Sequence, residues 1–140
     1  LPKAQEFAPD LALIAVGAND ATKFTSARDM ENSMQAIING LRQSNKDVKI
    51  IVTGSPAMDS VTRFPFISKW VMKIRTKQIN DVFDSLIEKN VLTHAPIALE
   101  TRQAFLDDPT LTAADNFHPN ARGYALWIPV INKAVDSALK

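Results

Sequence analysis

Apolar positions along the chain alternate between short uninterrupted runs and stretches of helical spacing. The first run covers Leu11 to Val16, and a second, β-branched run covers Val48 to Thr53. Each run stops at a glycine. Continuous apolar runs of this length are typical of strands that are buried on both faces of a parallel sheet. A weaker strand is predicted over residues 91–97, where Pro96 interrupts the run.

Three other segments show helical periodicity. The first begins at Ser26, where Ser26-Ala27-Arg28-Asp29 resembles a capping box. The second covers about residues 68–90, and the third begins near Pro119, with Pro129 expected to kink it or delay its start. The predicted buried stripes of these helices are Met30, Met34, Ile37, Ile38 and Leu41, then Val71, Ile74, Ile79, Val82, Phe83, Leu86 and Ile87, then Ile128, Ile131, Val135 and Leu139. Residues 57–66 are expected to be irregular, and residues 100–117 to form a polar loop.

This order of strands and helices predicts an α/β domain with a parallel sheet. The 140 residues amount to a single domain, residues 1–140. The strand at 11–16 is the most apolar one and carries none of the charges or prolines that protect a sheet edge. We therefore expect at least one neighbouring strand that is absent from this chain; the alternative is that a helix or an oligomer contact covers the edge.

Composition narrows the function further. The 16 basic and 15 acidic residues nearly balance, which argues against a dedicated nucleic-acid binder. No apolar run approaches the roughly 18 residues of a membrane span. The lack of cysteine excludes disulfides, thiolate metal sites and a cysteine nucleophile. The chain begins Leu1-Pro2-Lys3 with no signal peptide, which indicates a processed, trimmed or partial product. The compartment stays open, and a secreted or periplasmic location is consistent with the sequence.

Two polar clusters are placed where ligands gather in an α/β sheet, at or near the carboxyl ends of the strands. Gly17-Ala18-Asn19-Asp20 follows the first strand: Gly17 permits a sharp turn, and the Asn19 amide can donate to an oxyanion. In Asp115-Asn116-Phe117-His118-Pro119, a carboxylate three residues before the histidine can hold Nδ1–H and leave Nε2 as a general base. Alternatively, both clusters are ordinary turns and helix caps.

Other candidate groups carry weaker signals. Ser55 is interpreted as a turn residue, because it lacks the flanking pattern of a nucleophile elbow. His94 is interpreted as structural or exposed. The sequence predicts no metal site; the alternative is a site formed by Asp107, Asp108 and Asp115 with a histidine. One apolar group either forms an acyl pocket or lid, or folds onto the core: Met58, Val61, Phe64, Phe66, Ile67 and Trp70. One basic group is interpreted as a solvated helix face rather than an anion site: Lys69, Lys73, Arg75 and Lys77.

Taken together, the two clusters resemble the SGNH (GDSL-type) hydrolase family, whose third block reads G-x-N-D and whose fifth reads D-x-x-H-P. They correspond to Gly17, Asn19 and Asp20, then to Asp115, His118 and Pro119. The resemblance implies a three-layer α/β/α, flavodoxin-like fold and a Ser-His-Asp triad for ester hydrolysis. In it, His118 is the base, Asp115 orients it, Asn19 is an oxyanion donor, and Gly17 and Asp20 shape the loop that presents Asn19.

One departure from the family is decisive. The family's first block, with the nucleophilic Ser, and its second block, with an oxyanion-hole Gly, precede G-x-N-D, yet the 16 residues before Gly17 contain neither block. We therefore expect residues 1–140 to be the carboxyl-terminal part of one SGNH hydrolase domain, inactive alone, which the missing segment could complement as a separate chain.

The expected activity is that of an esterase or lipase. The expected substrate is a small-molecule or lipid-like ester, with no cofactor. The alternatives are an acyltransferase that uses the same site and a non-catalytic flavodoxin-like binding module.

Overall fold

The computed structural model describes residues 1–140 and contains ten helices and strands around a small parallel sheet. In chain order they are α1 (Pro2–Phe7), β1 (Leu11–Ile14), α2 (Ala18–Lys23), α3 (Ala27–Ser44), β2 (Lys49–Val52), α4 (Phe66–Asn90), β3 (Thr93–His94), α5 (Ile97–Asp107), α6 (Ala121–Ala125) and α7 (Trp127–Ala138). Two 3₁₀ turns lie at Met58–Ser60 and Pro109–Leu111. None of the helices combines the length and the apolar character that crossing a bilayer requires.

The sheet has the order β1-β2-β3, and both pairs of strands are parallel. Leu11 pairs with Lys49 and Ile14 with Val52, while β3 adds a pairing of Val52 with His94. The predicted parallel α/β sheet is therefore confirmed. β1 lies at the edge and pairs with β2 alone, so the outer side of this apolar strand has no partner strand.

Helices cover the two faces of the sheet and make the fold a three-layer α/β/α sandwich. Ile50 and Val52 of β2 point into the larger core, which α3 and α4 complete. Ile51 points to the other face, where it packs with Ala134 of α7. Alternate side chains of one strand thus serve the two cores, as a central parallel strand requires. Leu13 of the edge strand β1 remains 46% exposed.

The first half of the chain follows its hydrophobic pattern closely. Ser26 caps α3, since its Oγ accepts the Asp29 N–H at 3.1 Å and donates to the Asp29 carboxylate at 2.7 Å. The predicted stripe of α3 faces the core, with Ile37 only partly buried. In α4 the stripe is confirmed except for Ile74, which is exposed. The residues buried along α4 are Met72, Thr76, Ile79, Phe83, Leu86 and Asn90, a continuous stripe of three- and four-residue steps from which Ile74 deviates.

The second half corrects several expectations. Residues 100–117 are not a polar loop, because α5 extends to Asp107 and a 3₁₀ turn follows it. The buried face of α5 consists of Ile97 and Thr101, and the Thr101 hydroxyl donates to the Ile97 carbonyl at 2.6 Å. The apolar residues of α5 fall in two groups, 97–99 and 104–106, so they do not form the single stripe from which a helix is predicted. The strand expected over 91–97 is reduced to two residues, since Pro96 already leads into α5.

The carboxyl-terminal helix also differs from its prediction. It is split at Leu126 into α6 and α7, and Pro129 falls within the first turn of α7, where proline is tolerated. The predicted stripe is wrong at Ile128 and Leu139, which are exposed. The side chains facing the sheet are instead mostly small: Val130, Ala134, Val135 and Ala138. The short helices α1 and α2 were not expected; α2 begins directly within the Gly17-Ala18-Asn19-Asp20 cluster.

Candidate active site

The loop before α6 holds a carboxylate against an imidazole. Asp115 Oδ1 accepts the N–H groups of Phe117 at 2.9 Å and of His118 at 3.0 Å. Its Oδ2 lies 2.6 Å from His118 Nδ1. The hydrogen bond to His118, reinforced by the two backbone N–H groups, lowers the pKa of Asp115 well below its usual range. Asp115 is therefore an ionised acceptor that fixes the ring, and His118 Nε2 is the ring nitrogen left for other chemistry.

Hydrogen bonds within the loop fix this pair in position. The Ala113 N–H donates to the His118 carbonyl at 2.8 Å, which closes the loop on itself. Asn120 caps α6, because its Oδ1 accepts the Gly123 N–H at 3.1 Å, and its Nδ2 donates to the Thr110 carbonyl at 2.6 Å. Asn120 was not predicted as a site residue, although an asparagine just before a helix is a recognisable capping signal.

The same loop is tied to the segment that leads into α4. The Arg63 N–H donates to the Asn116 carbonyl at 2.8 Å. The Phe117 ring stands edge-on to Phe64, with ring centroids 6.3 Å apart, and edge-on to His118 at 5.0 Å. The imidazole thus has an aromatic neighbour on one side and the Asp115 carboxylate at Nδ1, so its orientation is restricted by both.

The other cluster lies directly beyond β1. Gly17 has φ +114°, and a Cβ at this position would lie 2.9 Å from the backbone N and Cα of Ser55. Only glycine allows the turn after β1 to pass this close to the turn after β2. Asn19 follows on α2, exposed, and its side-chain amide forms no hydrogen bond within the chain. Asp20 contributes through its backbone, since its carbonyl accepts the Thr25 N–H at 3.1 Å.

Ser55 is a buried turn residue, as predicted, and α4 holds it in place. Its side chain is 0% exposed, and its hydroxyl donates to the Pro56 carbonyl at 3.0 Å. The Ser55 N–H donates to Asn80 Oδ1 at 2.8 Å, while Asn80 Nδ2 donates to the Ser55 carbonyl at 3.2 Å. Asn80 is a site-supporting residue that sequence reasoning missed, because a single asparagine in a long helix gives no signal of a tertiary partner.

Both clusters open onto one cavity of about 420 Å³ at the carboxyl edge of the sheet. Gly17, Asn19 and Asp20 line it together with His118, whereas Asp115 is not part of the lining. The rest of the wall includes these apolar side chains: Met58, Val61, Ile97, Phe105, Tyr124 and Trp127. The cavity therefore combines an imidazole nitrogen, a free amide and an apolar wall, the usual composition of a small-molecule site.

Ser60 is the serine that lines the cavity, and its hydroxyl is hydrogen-bonded to a backbone carbonyl. Ser60 is 7% exposed, and its hydroxyl donates to the Ala57 carbonyl at 2.7 Å. Its Oγ has no hydrogen bond to His118. A nucleophilic serine activated by a histidine requires direct hydrogen-bonding reach between the two. Ser60 does not meet this requirement in the structure.

The remaining candidate groups differ in their contacts and in their burial. Asp108 does not join Asp115 in a metal-binding group; it accepts from Thr110 and pairs with Arg122 at 3.1 Å, and these contacts lower its pKa. His94 lies 3.6 Å from Asp84 in a solvent-accessible pair. The apolar group from Met58 to Trp70 separates into residues that pack on the core (Met58, Val61 and Phe64) and residues that are exposed (Phe66, Ile67 and Trp70).

The site thus combines a histidine–carboxylate pair and an asparagine at the carboxyl edge of a parallel α/β sheet, the edge at which such sheets bind their ligands. The chain belongs to the GDSL-like lipase/acylhydrolase family, whose model matches residues 1–126. The fold is similar to the crystal structure of LAE5, an alpha/beta hydrolase enzyme from the metagenome of Lake Arreo, Spain, with a TM-score of 0.71 and 16% sequence identity. The similarity covers 92% of this chain and 61% of LAE5. A search of curated proteins gives no match.

Proposed function

We propose that this chain supplies the base and an oxyanion donor of a serine-type hydrolase of carboxylic esters, an esterase or lipase. The nucleophilic serine comes from a segment outside residues 1–140. The observation that carries the proposal is the 2.6 Å contact between Asp115 Oδ2 and His118 Nδ1 at the wall of the cavity that Asn19 also lines. These three side chains have the chemistry of base, orienting carboxylate and oxyanion donor.

The reaction follows from the positions of the two ring nitrogens. As the serine Oγ attacks the ester carbonyl carbon, His118 Nε2 accepts the hydroxyl proton, and the ionised Asp115 stabilises the imidazolium. The carbonyl oxygen becomes an oxyanion and accepts a hydrogen bond from the Asn19 amide. Collapse breaks the bond to the alcohol, which takes the proton from Nε2. His118 then deprotonates a water molecule that attacks the acyl carbon; the bond to the serine Oγ breaks, Oγ takes the proton back from Nε2, and the acid is released.

Two features support a serine from outside the chain. Residues 1–16 contain no serine, and Ser60, the serine that lines the cavity, donates its hydroxyl to a backbone carbonyl. β1 has an open edge that a further parallel strand could extend. The carboxyl end of such a strand would meet the sheet edge where Gly17 lies, since parallel strands end on the same side.

A fluorophosphonate probe, which labels activated serines, tests the proposal on the protein that includes the sequence encoded upstream. We expect one labelled serine outside residues 1–140, no labelling of the 140-residue chain alone, and loss of labelling in His118→Ala. His94→Ala is the matched control, because it removes the other histidine of the chain, and it should label normally. A labelled serine within residues 1–140, or normal labelling of His118→Ala, would overturn the proposal.

A further inference from the structure

The start of α4 exposes large apolar side chains on its outer face. Phe66 is 90% exposed, Ile67 is 85% exposed and Trp70 is 68% exposed. Phe66 and Trp70 are four residues apart and thus share one side of the helix, which faces away from the buried stripe. Single exposed apolar residues are normal on a protein surface, whereas neighbouring large ones are a feature of interaction sites.

The surroundings of this group are strongly basic. Residues 60–80 contain five of the chain's 16 basic residues and none of its 15 acidic ones. Lys77 pairs with Asp81 at 2.7 Å, and Arg75 donates to the Thr25 carbonyl at 2.8 Å. Lys69 and Lys73 form no ion pair, so their charges are available to an anionic partner.

We propose that the α4 patch, defined as Phe66, Ile67 and Trp70 with the cations Lys69 and Lys73, docks on the surface of an anionic phospholipid bilayer. Aromatic rings insert at the level of the headgroups, while lysine side chains reach the phosphates from the same face of a helix. A second copy of the chain is a poorer occupant, because a two-fold contact through this patch would bring like charges together.

The position of the α4 patch suits a lipid-like ester. The patch begins three residues after Arg63, whose N–H holds the loop that carries His118 through Asn116. Docking through the patch would therefore fix the site loop close to the lipid surface. The proposal itself concerns binding alone and stands whether or not the chain takes part in ester hydrolysis.

The proposal is tested by co-sedimentation of the protein with two kinds of vesicle. One is phosphatidylcholine alone, and the other is phosphatidylcholine mixed with phosphatidylglycerol. We expect binding to the mixed vesicles and little to the neutral ones, with binding lost near 1 M salt, where charges are screened beyond about 3 Å. Replacing both Lys69 and Lys73 with Ser should weaken binding about 25-fold, at roughly fivefold for each charge. Trp70→Ser should weaken it about tenfold or more.

Two matched controls sit on other surfaces of the chain. Leu99→Ser removes an exposed apolar side chain from α5, and Lys133→Ser removes a charge from α7; both should bind as the unaltered chain does. In a Trp127→Phe background, Trp70 fluorescence should shift to the blue when the mixed vesicles are added. His118→Ala should also bind normally, which separates this result from the test of hydrolysis.

Three outcomes would overturn the proposal. One is equal binding to neutral and anionic vesicles. Another is that Leu99→Ser and Lys133→Ser weaken vesicle binding as much as the patch variants do. The third is a dimer, seen by sedimentation, that Trp70→Ser dissociates while vesicle binding is absent; in that case a second copy covers the patch.

Discussion

Asn80 holds the turn after β2, against which the turn after β1 packs. Its amide contacts both backbone polar groups of Ser55, at 2.8 Å and 3.2 Å. Ser55 is in turn the residue against which Gly17 packs. Asn80→Ala removes both hydrogen bonds and leaves the backbone of a completely buried residue without these partners.

The expected loss of stability follows from that burial. Leaving a buried polar group unsatisfied costs about 1–3 kcal/mol, and Asn80→Ala affects an N–H and a carbonyl. Alanine is the better helix former by at most about 0.7 kcal/mol, which offsets part of the loss. We therefore expect the free energy of unfolding to fall by about 2–4 kcal/mol, a large share of the 5–15 kcal/mol typical of a domain.

Urea denaturation followed by tryptophan fluorescence measures this change. Asn32→Ala is the matched control, because Asn32 is an exposed residue inside α3, where alanine should be neutral or slightly stabilising. In the complete enzyme, Asn80→Ala should also lower turnover more than it raises KM, since it loosens the Ser55 turn against which Gly17, in the turn that leads to Asn19, packs. Equal unfolding free energies for the two variants would refute the reasoning, since the amide contacts would then contribute nothing.

Further predictions concern the site and the helix that follows its loop. Asn19→Ala should lower ester turnover about 10²–10³-fold in the complete enzyme, as measured with a chromogenic ester. Asp115→Asn should lower turnover about 10⁴-fold. The pKa of Asp115 is depressed in the folded chain, so its ionised carboxylate stabilises the fold above the unfolded pKa near 3.9. This contribution is lost as pH falls further. In acid titrations, Asp115→Asn should therefore lose less stability than the unaltered chain does. Gly123→Ala should destabilise the chain by about 1–3 kcal/mol in thermal unfolding, since its Cβ would strike the Leu111 carbonyl oxygen; Ala121→Gly should cost only about 1 kcal/mol.

The elements with strong periodicity were predictable from the sequence. β2, α3 and α4 bury most of their apolar run or stripe, and β1 is an uninterrupted apolar run even though Leu13 at the sheet edge stays exposed. The cap at Ser26 was also predictable, because its partner Asp29 lies only three residues away.

The predictions that were wrong concern α5 and α7, whose packing depends on residues far away in the chain. α5 buries two residues, and Arg102 on its partly covered side forms an ion pair with Asp59, a contact that no local pattern reveals. Ile128 and Leu139 are more apolar than Ala134, yet the small side chain is the one that faces the sheet. Close approach of a helix to a sheet selects for size, whereas a hydrophobic stripe reports apolar character alone.

The candidate site shows the same division. The Asp115–His118 contact spans three residues and was predictable from spacing. The hydrogen bonds from Asn80 to Ser55 join residues 25 positions apart, and no feature of the sequence around Asn80 indicates them. The spacing therefore predicted the Asp115–His118 contact, whereas the contacts of Asn80 required the structure.

The open edge of β1 connects the sheet to the chemistry of the cavity. Leu13 remains 46% exposed although Leu11, on the same face of β1, packs on the second core. A strand added in parallel beside β1 would cover this edge, and the turn after it would enter the cavity beside Gly17. A hydroxyl carried by that turn would lie near the Asn19 amide and the free nitrogen of His118. Under the proposed function, one upstream segment would therefore both pair with β1 and supply the nucleophile for His118.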